Sequence, residues 1–177
     1  MVIIVDSREH QKAIQKILSD FDRSGIKHYS SKLFCGDYMS LDNPKVIIDR
    51  KQNISELCNN VSSVPKKNSD GTYRRRQDGR VDCELNRFTD ELKRAKECGI
   101  HLIFLCEHGG QINTLKDVEQ WKNPRLAESR LAMSGKRLYM VLLQLEKTYG
   151  VEFLFCDKRC TGKKIIELLE VKQENVD

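Results

Sequence analysis

The sequence predicts an α/β protein in which a mixed central sheet is flanked by helices, and two observations support that class. Short apolar runs typical of buried strands occur at residues 2–5, 46–48, 100–106 and 151–155. Between these runs lie segments whose apolar residues recur at helical spacing. Strands that alternate with helices favour a sheet covered by helices over an all-α or an all-β fold.

An acidic turn and an amphipathic helix follow the first strand. The apolar residues of this helix share one face: Ala13, Ile14, Ile17, Leu18 and Phe21. Gly25 ends the helix. Asp6 or Ser7 is expected to cap its N-terminus, with Glu9 near the first turn.

A β-hairpin is predicted next. Residues 36–41 form one strand and residues 46–48 belong to the other, with Asn43-Pro44 as the turn signal between them. This hairpin would bring Asp37 and Asp49 close together at one end of the sheet.

The second half of the chain repeats the alternation. A helix closed by Gly99 precedes the apolar strand at residues 100–106. Residues 109–135 are expected to be irregular or short-helical, and the tail after Lys172 is expected to fray. Three apolar sets mark the helices of this half: Phe88, Leu92 and Ala95; Leu138, Val141, Leu142 and Leu145; and Ile165, Ile166, Leu168 and Leu169.

Composition excludes several classes of protein. The 177 residues suffice for one domain over residues 1–177, and 39% hydrophobic with 32% charged content is typical of a soluble globular protein. No apolar run approaches the roughly 20 residues of a membrane span, and no signal peptide is evident. We therefore expect an intracellular protein, cytoplasmic or associated with the nucleoid, or nuclear in a eukaryote. The net charge of +5 permits nucleic-acid binding without arguing for it.

The seven cysteines favour a reducing compartment over a disulfide framework. Their number is odd, no CxxC pair occurs, and several lie in apolar segments where thiols behave as small core residues. A zinc site built from Cys156 and Cys160 with His101 or His108 is the alternative.

Asp37, Asp49 and Lys51 have the order and spacing of a metal-dependent phosphodiesterase site. Lys51 follows Asp49 by two residues, so both side chains project from the same face of an extended strand. Two carboxylates can share a hard cation such as Mg²⁺, which activates a water and offsets charge on the phosphoryl oxygens. A lysine beside the cation can orient that water or stabilise the oxyanion. The alternative is a solvated cluster of salt bridges.

The first strand adds a third acid, because Asp6 follows residues 2–5 directly. An acid at the end of a buried strand carries a desolvation cost unless it is paired or binds a cation. Asp6 is therefore a candidate metal ligand as well as a candidate helix cap.

Three segments together resemble the XPF-type structure-specific nuclease domain, a branch of the restriction-endonuclease-like superfamily. The family pattern VDxRE, then GDY, then (V/I)ERKxxxDL is matched by residues 5–9, 36–38 and 48–51, with residues 54–57 following. The match continues through residues 87–92 and 102–107. The resemblance implies a restriction-endonuclease-like mixed central sheet flanked by helices.

The resemblance also implies a DNA endonuclease that depends on Mg²⁺ or Mn²⁺. Its substrates would be branched, flapped or forked DNA in repair, recombination or replication. The metal ligands carried over are Asp6, Asp37 and Asp49, and Lys51 acts on the attacking water or the oxyanion. Arg8, Glu9 and Arg50 complete the catalytic set: Glu9 through a metal-bound water, and the arginines by contacting the phosphate or holding the carboxylates. Arg50 alternates to the opposite strand face from Asp49 and Lys51, which favours a structural role for it.

The chain departs from the family pattern in three ways. Asp49 stands where glutamate is usual, and one extra residue precedes Glu56. No helix-hairpin-helix module is evident, so we expect a stand-alone nuclease domain that grips DNA itself, as a homodimer or with a protein partner. A catalytically silent DNA-binding subunit and a sequence-specific restriction-type endonuclease are the alternatives.

The segment at residues 62–81 is basic and punctuated by glycine, and it is predicted to be a flexible loop near the metal site. We expect it to bind DNA phosphates and to stack an aromatic ring on a base. The residues concerned are Lys66, Lys67, Tyr73, Arg74, Arg75, Arg76 and Arg80. The alternative is a disordered surface loop.

Overall fold

The computed structural model describes residues 1–108, 112–130 and 132–170, and its strands form one six-stranded sheet. The strands are β1 Val2–Asp6, β2 Lys27–Ser31, β3 Tyr38–Ser40, β4 Asn43–Lys51, β5 His101–Glu107 and β6 Glu152–Cys156. The α-helices are α1 Gln11–Arg23, α2 Ile54–Asn60, α3 Glu84–Glu97, α4 Gly135–Tyr149 and α5 Thr161–Glu170. Two short 3₁₀ helices, Lys116–Gln120 and Pro124–Ala127, lie in the region predicted to be irregular or short-helical.

The sheet is mixed, as predicted, with the order β2-β1-β3-β4-β5-β6. Strand β3 pairs antiparallel with both of its neighbours, β1 and β4, and the remaining neighbours pair parallel. Strand β2 was not predicted from the sequence. It is a polar edge strand with mostly exposed side chains, so neither an apolar run nor a clear alternation marks it.

Two hydrophobic layers cover the sheet, and the alternation of side chains along β4 assigns them. Ile47 packs in the layer that contains residues of α2, α3 and α4, which we call the α3 face. Val46 and Ile48 pack in the layer of α1 and α5, which we call the α1 face. Phe104 stacks on Phe153 in the α3 layer, with ring centroids 5.0 Å apart. By the same alternation, Asp49 and Lys51 belong to the α3 face and Arg50 to the α1 face.

Two local predictions differ from the structure. The hairpin forms, but its turn lies at Leu41 and Asp42, and Asn43-Pro44 already belongs to β4, where Asn43 pairs with Ser40. Proline is tolerated there because it lies at the beginning of the strand.

The other difference concerns the first helix. Neither Asp6 nor Ser7 caps α1; His10 is the N-cap residue and makes no side-chain capping bond. The Asp6 carboxylate is engaged elsewhere, by Arg8 and Leu33.

Among the described residues, no helix is both long and apolar enough to cross a membrane. The tail after residue 172, predicted to fray, lies outside the described residues.

Candidate active site at the end of strand β4

Asp37 lies between the ends of β1 and β4. Its backbone N–H donates to the Ile48 carbonyl at 2.8 Å, and its carbonyl accepts the Asp6 N–H at 2.8 Å. Its carboxylate Oδ2 accepts the backbone N–H of Arg50 at 2.7 Å. Asp37 is thereby tied to the strand that carries Asp49 and Lys51, as the predicted hairpin requires.

Gly36 makes this close approach feasible. Its φ is +62°, a backbone conformation that residues other than glycine rarely adopt. A Cβ atom there would lie 2.6 Å from Cγ2 of Ile47 and 3.0 Å from the carbonyl oxygen of Ile48. The residue before Asp37 must therefore lack a side chain for the two strands to meet.

The site concentrates negative charge. Burial raises the pKa of Asp37, and the charges of Asp49 and Glu9 raise it further. The Arg50 N–H and the charge of Lys51 lower it by less, so the pKa is about 8. Carboxylates in this arrangement repel one another until a cation or a proton neutralises one of them.

Lys51 supplies a positive charge beside Asp49. Its Nζ lies 2.5 Å from Asp49 Oδ1 and 5.7 Å from the centroid of the Phe104 ring. Burial lowers the pKa of Lys51, but the Asp49 and Asp37 carboxylates outweigh burial and the pKa is raised. The side chain is thus a fixed ammonium in a half-buried setting, suited to stabilising anionic oxygen.

Asp6 is held by its own neighbours. Its Oδ1 accepts the backbone N–H and the Nε of Arg8, both at 2.7 Å, and its Oδ2 accepts Nη2 of Arg8 at 2.9 Å and the Leu33 N–H at 2.8 Å. Burial raises the pKa of Asp6, but these hydrogen bonds outweigh it and lower the pKa to about 2. In this arrangement Asp6 orders the turn after β1 and the chain near Leu33, and its oxygens are occupied.

Arg50 lies on the other face of the sheet, as its alternation indicates. Its guanidinium donates to Glu107 Oε1 and to Glu9 Oε2, both at 3.2 Å. Glu107 Oε1 also accepts the hydroxyl of Thr161 at 2.9 Å. The side chains of the predicted catalytic residues Glu9 and Arg50 therefore belong to a network on the α1 face, opposite to the side chain of Lys51, although the charge of Glu9 also acts on Asp37.

Glu91 on α3 joins the site, although its place in the sequence predicts only a position on a helix. Burial raises the pKa of Glu91, and the charge of Asp49 raises it further. The charge of Lys51 and the N–H of Gly36 lower it by less, so the pKa is raised overall. Glu91 directly precedes Leu92, which is fully buried in the α3 layer. An acid at the border of the apolar face of α3 is the signal that could have identified it.

A polar cleft of about 310 Å³ opens beside Lys51, between α3, the end of α2 and the segment at 62–81. Four basic residues line it: Lys51, Arg76, Arg87 and Arg94. Within the described part of the chain, Arg94 makes no ion pair and Arg76 Nη1 is a buried atom with no hydrogen-bond partner. Arg94 therefore retains donors for an anion, whereas Nη1 of Arg76 is buried and Nη2 of Arg76 is paired with Asp90.

The structure gives residues 62–81 a defined path. Isolated antiparallel bridges join Lys67 to Tyr73 and Arg75 to Val81, and Lys66 is hydrogen-bonded through its backbone to both Arg74 and Asp82. The segment thus forms two successive hairpin-like turns. Its predicted flexibility stays a prediction.

Most of the basic residues of this segment are already paired with acids. Lys66 pairs with Glu84, Arg74 with Asp82, Arg76 with Asp90, and Arg80 with both Asp78 and Asp90. Lys67 lies over the exposed Tyr73 ring, with its Nζ 5.9 Å from the centroid, and Arg75 Nη1 donates to the Gly79 carbonyl at 2.9 Å. Of the predicted DNA-binding set, Lys67 and Arg75 are therefore the basic residues that form no ion pair with any acid in the described part of the chain.

The donor set fits a hard cation held by few protein ligands. Across residues 1–108, 112–130 and 132–170, no cluster of three or more His, Cys, Asp or Glu side chains is arranged to hold a metal ion. Within these ranges, the zinc alternative at Cys156 and Cys160 is therefore not assembled as such a cluster, and neither is the predicted set of three metal ligands, Asp6, Asp37 and Asp49. Asp37 and Asp49 offer carboxylate oxygens at adjacent strand ends, and burial, followed by the charges of Asp49 and Glu9, raises the pKa of Asp37. Mg²⁺ accepts such a site because it keeps several waters.

Comparisons with known proteins agree with this architecture. The family model described as the ERCC4 domain matches residues 5–168. The chain is similar to XPF from Aeropyrum pernix, with a TM-score of 0.60 and 19% identity over 96% of this chain and 63% of that one. It is also similar to XPF from Aeropyrum pernix in complex with DNA, with a TM-score of 0.58 and 17% identity over 99% of this chain and 68% of that one. No significant match is found among curated proteins.

The solved structures confirm the predicted mixed sheet flanked by helices, and at 19% and 17% identity they bear on the fold alone. The family match extends over nearly the whole chain and includes the three segments on which the XPF-type resemblance depends. The chain therefore belongs to the ERCC4 domain family.

Proposed function

We propose that this protein is a divalent-metal-dependent DNA endonuclease that hydrolyses phosphodiester bonds in branched, flapped or forked DNA. The observation that carries the proposal is the set of Asp37, Asp49 and Lys51. Two carboxylates meet at adjacent strand ends, and a protonated lysine is ion-paired to one of them. This is the combination that phosphodiester hydrolysis requires.

Asp37 and Asp49 would hold the cation, Mg²⁺ or Mn²⁺. When bound, the cation supplies Lewis acidity and a coordinated water of lowered pKa. The ammonium of Lys51 offsets the negative charge that develops on the phosphoryl oxygens or orients the attacking water. Glu91 adds a carboxylate at the same face, and Arg8 holds Asp6 so that the turn after β1 keeps its shape.

DNA would enter along the cleft beside Lys51. Arg94 makes no ion pair among the described residues and presents donors there, and Lys67 and Arg75 extend the positive surface over the neighbouring hairpin-like turns. The exposed ring of Tyr73 is available for stacking on a base. The solved DNA complex of an XPF protein with the same fold supports DNA as the substrate. A homodimer or a protein partner would supply further contacts with branched DNA.

The experiment is an incubation with labelled flap, fork, four-way and linear duplexes in Mg²⁺, Mn²⁺ or EDTA, using the wild type and Asp49→Asn. The proposal expects cutting near the branch, with either metal, by the wild type alone. Binding without cutting by the wild type would instead identify a catalytically silent DNA-binding subunit. Cutting of linear duplex at one sequence would identify a restriction-type enzyme.

A further inference from the structure

A buried polar network joins the C-terminal helix α5 to the strand that carries the candidate active site. Arg50 is 7% exposed and Glu107 is 3% exposed, and their ion pair lies across the end of the sheet. Thr161, the first residue of α5, is 1% exposed and donates its hydroxyl to the same Glu107 oxygen at 2.9 Å. The side chains of these three residues lie on the α1 face, on the opposite side of the sheet from the side chains of Asp49 and Lys51.

This network fixes the part of β4 on which the site depends. The Arg50 side chain is anchored by Glu107 from β5 and by Glu9 from the turn after β1. The backbone N–H of the same residue donates to the Asp37 carboxylate, and its chain neighbours are Asp49 and Lys51. A displacement of Arg50 would therefore move all three members of the site together.

Thr161 supplies one of the two hydrogen bonds that hold the Glu107 carboxylate in place. Glu107 Oε1 accepts both Arg50 and Thr161, whereas its buried Oε2 has no hydrogen-bond partner within the described residues. Without the threonine hydroxyl, Arg50 would be the only hydrogen-bond partner of this buried carboxylate. A buried charge that loses one of two hydrogen bonds is held less firmly and carries an uncompensated desolvation cost, so a shift in its position is favoured.

We propose that Thr161 and Glu107 are positioning residues for phosphodiester cleavage, acting through Arg50 on Asp37, Asp49 and Lys51 from the opposite face of the sheet. The inference deepens the proposed function and depends on it. Its distinctive consequence is that the removal of one hydroxyl on the α1 face lowers the rate of cutting without weakening DNA binding.

The test compares Thr161→Val, which is isosteric and lacks the hydroxyl, with Thr161→Ser, which retains it. We expect Thr161→Val to lower the single-turnover rate at saturating protein by about ten- to a hundredfold, the usual effect of losing a group that orients a metal ligand. The Mg²⁺ concentration for half-maximal cutting should rise, and the Kd for flapped DNA in EDTA should not change. Thr161→Ser should cut at nearly the wild-type rate.

Two further variants separate positioning from a general loss of stability. Ser40→Ala removes another fully buried hydroxyl from the same sheet outside the network, and it should leave the rate unchanged even where it lowers the unfolding temperature. Glu107→Gln keeps the size of the side chain and tests the network if Thr161→Val fails to fold; it should reproduce the loss of rate.

A wild-type rate in Thr161→Val, or an equal loss in Thr161→Ser or in Ser40→Ala, would overturn the inference. If Thr161→Val does not fold, a wild-type rate in Glu107→Gln would overturn it instead. In each case the proposed function survives if Asp49→Asn is inactive on the same DNA. If the wild type cuts no DNA, the proposed function itself fails.

Discussion

The backbone N–H of Arg50 donates to Asp37 Oδ2 at 2.7 Å, and this bond joins the two halves of the candidate site. Arg50 is flanked in sequence by Asp49 and Lys51, so this bond, together with the bond from the Asp37 N–H to the Ile48 carbonyl, holds Asp37 close to the β4 segment. The arrangement places two carboxylates and one ammonium at adjacent strand ends, and it leads to five predictions.

Cutting should require both Asp37 and Asp49. Replacement of either residue by asparagine removes a charged ligand from a site with few protein ligands, so cleavage in Mg²⁺ should fall to background. DNA affinity should be largely retained, because the cleft and the basic surface are untouched. Single-turnover assays and binding titrations measure the two effects separately. Cleavage in EDTA, or by Asp49→Asn, would contradict a metal site at this position.

Lys51→Ala should lower the rate of the chemical step by roughly 10²–10³, because the ammonium acts where negative charge develops. The loss of affinity should be small, since one lysine contributes little to binding. Lys93→Ala on α3 is the matched control, because Lys93 is exposed and does not line the cleft beside Lys51. If Lys51→Ala cut DNA at the wild-type rate but bound it more weakly, Lys51 would only contact a phosphate and would have no role in the chemical step.

The stability of the metal-free protein should depend on pH through Asp37. Its folded pKa of about 8 exceeds the unfolded value of about 4, so its contribution to stability is fully present below about pH 4 and is lost as pH rises through about 8. Asp37→Asn, which cannot ionise, should therefore gain stability relative to wild type over that range in EDTA. Thermal unfolding from acidic to alkaline pH measures the difference. Parallel curves for the two proteins would contradict the raised pKa.

Arg75→Ala should weaken DNA binding and lower the slope of log affinity against log salt by about one unit, the value for one lost phosphate contact. Arg74→Ala should have a smaller effect, because its guanidinium is already paired with Asp82. The saturated cutting rate should not change in either variant. Arg23→Ala on α1 serves as a control away from this surface. Equal slopes for Arg75→Ala and wild type would remove the segment at 62–81 from the DNA interface.

Gly36→Ala should destabilise the fold more than Gly25→Ala. Both glycines have positive φ, which costs an alanine roughly 1–2 kcal/mol. A Cβ at Gly25 meets no atom within 4 Å, whereas at Gly36 it collides with Ile47 and the Ile48 carbonyl. Crowding of this kind adds about 1–3 kcal/mol, and urea unfolding of the two variants measures the difference. Equal losses would show that β3 and β4 adjust to the extra atom.

The amino-acid sequence alone was enough to predict which strands carry the candidate site, through patterns among neighbouring residues. The apolar run before Asp49 makes a buried strand, and the two-residue period puts Asp49 and Lys51 on one face and Arg50 on the other. These features depend on neighbours in sequence, and the structure has them as predicted.

Tertiary packing decided the partners of the charged side chains. Arg50 binds acids that lie 41 and 57 residues away, Glu91 reaches the site through the docking of α3, and Asp6 is occupied by Arg8 and by Leu33, which lies 27 residues further along. The edge strand β2 exists because β1 offers it backbone hydrogen bonds, although its polar sequence has no strand pattern. Such contacts form only when elements distant in sequence pack together, so the strand and helix periodicities of the sequence cannot predict them.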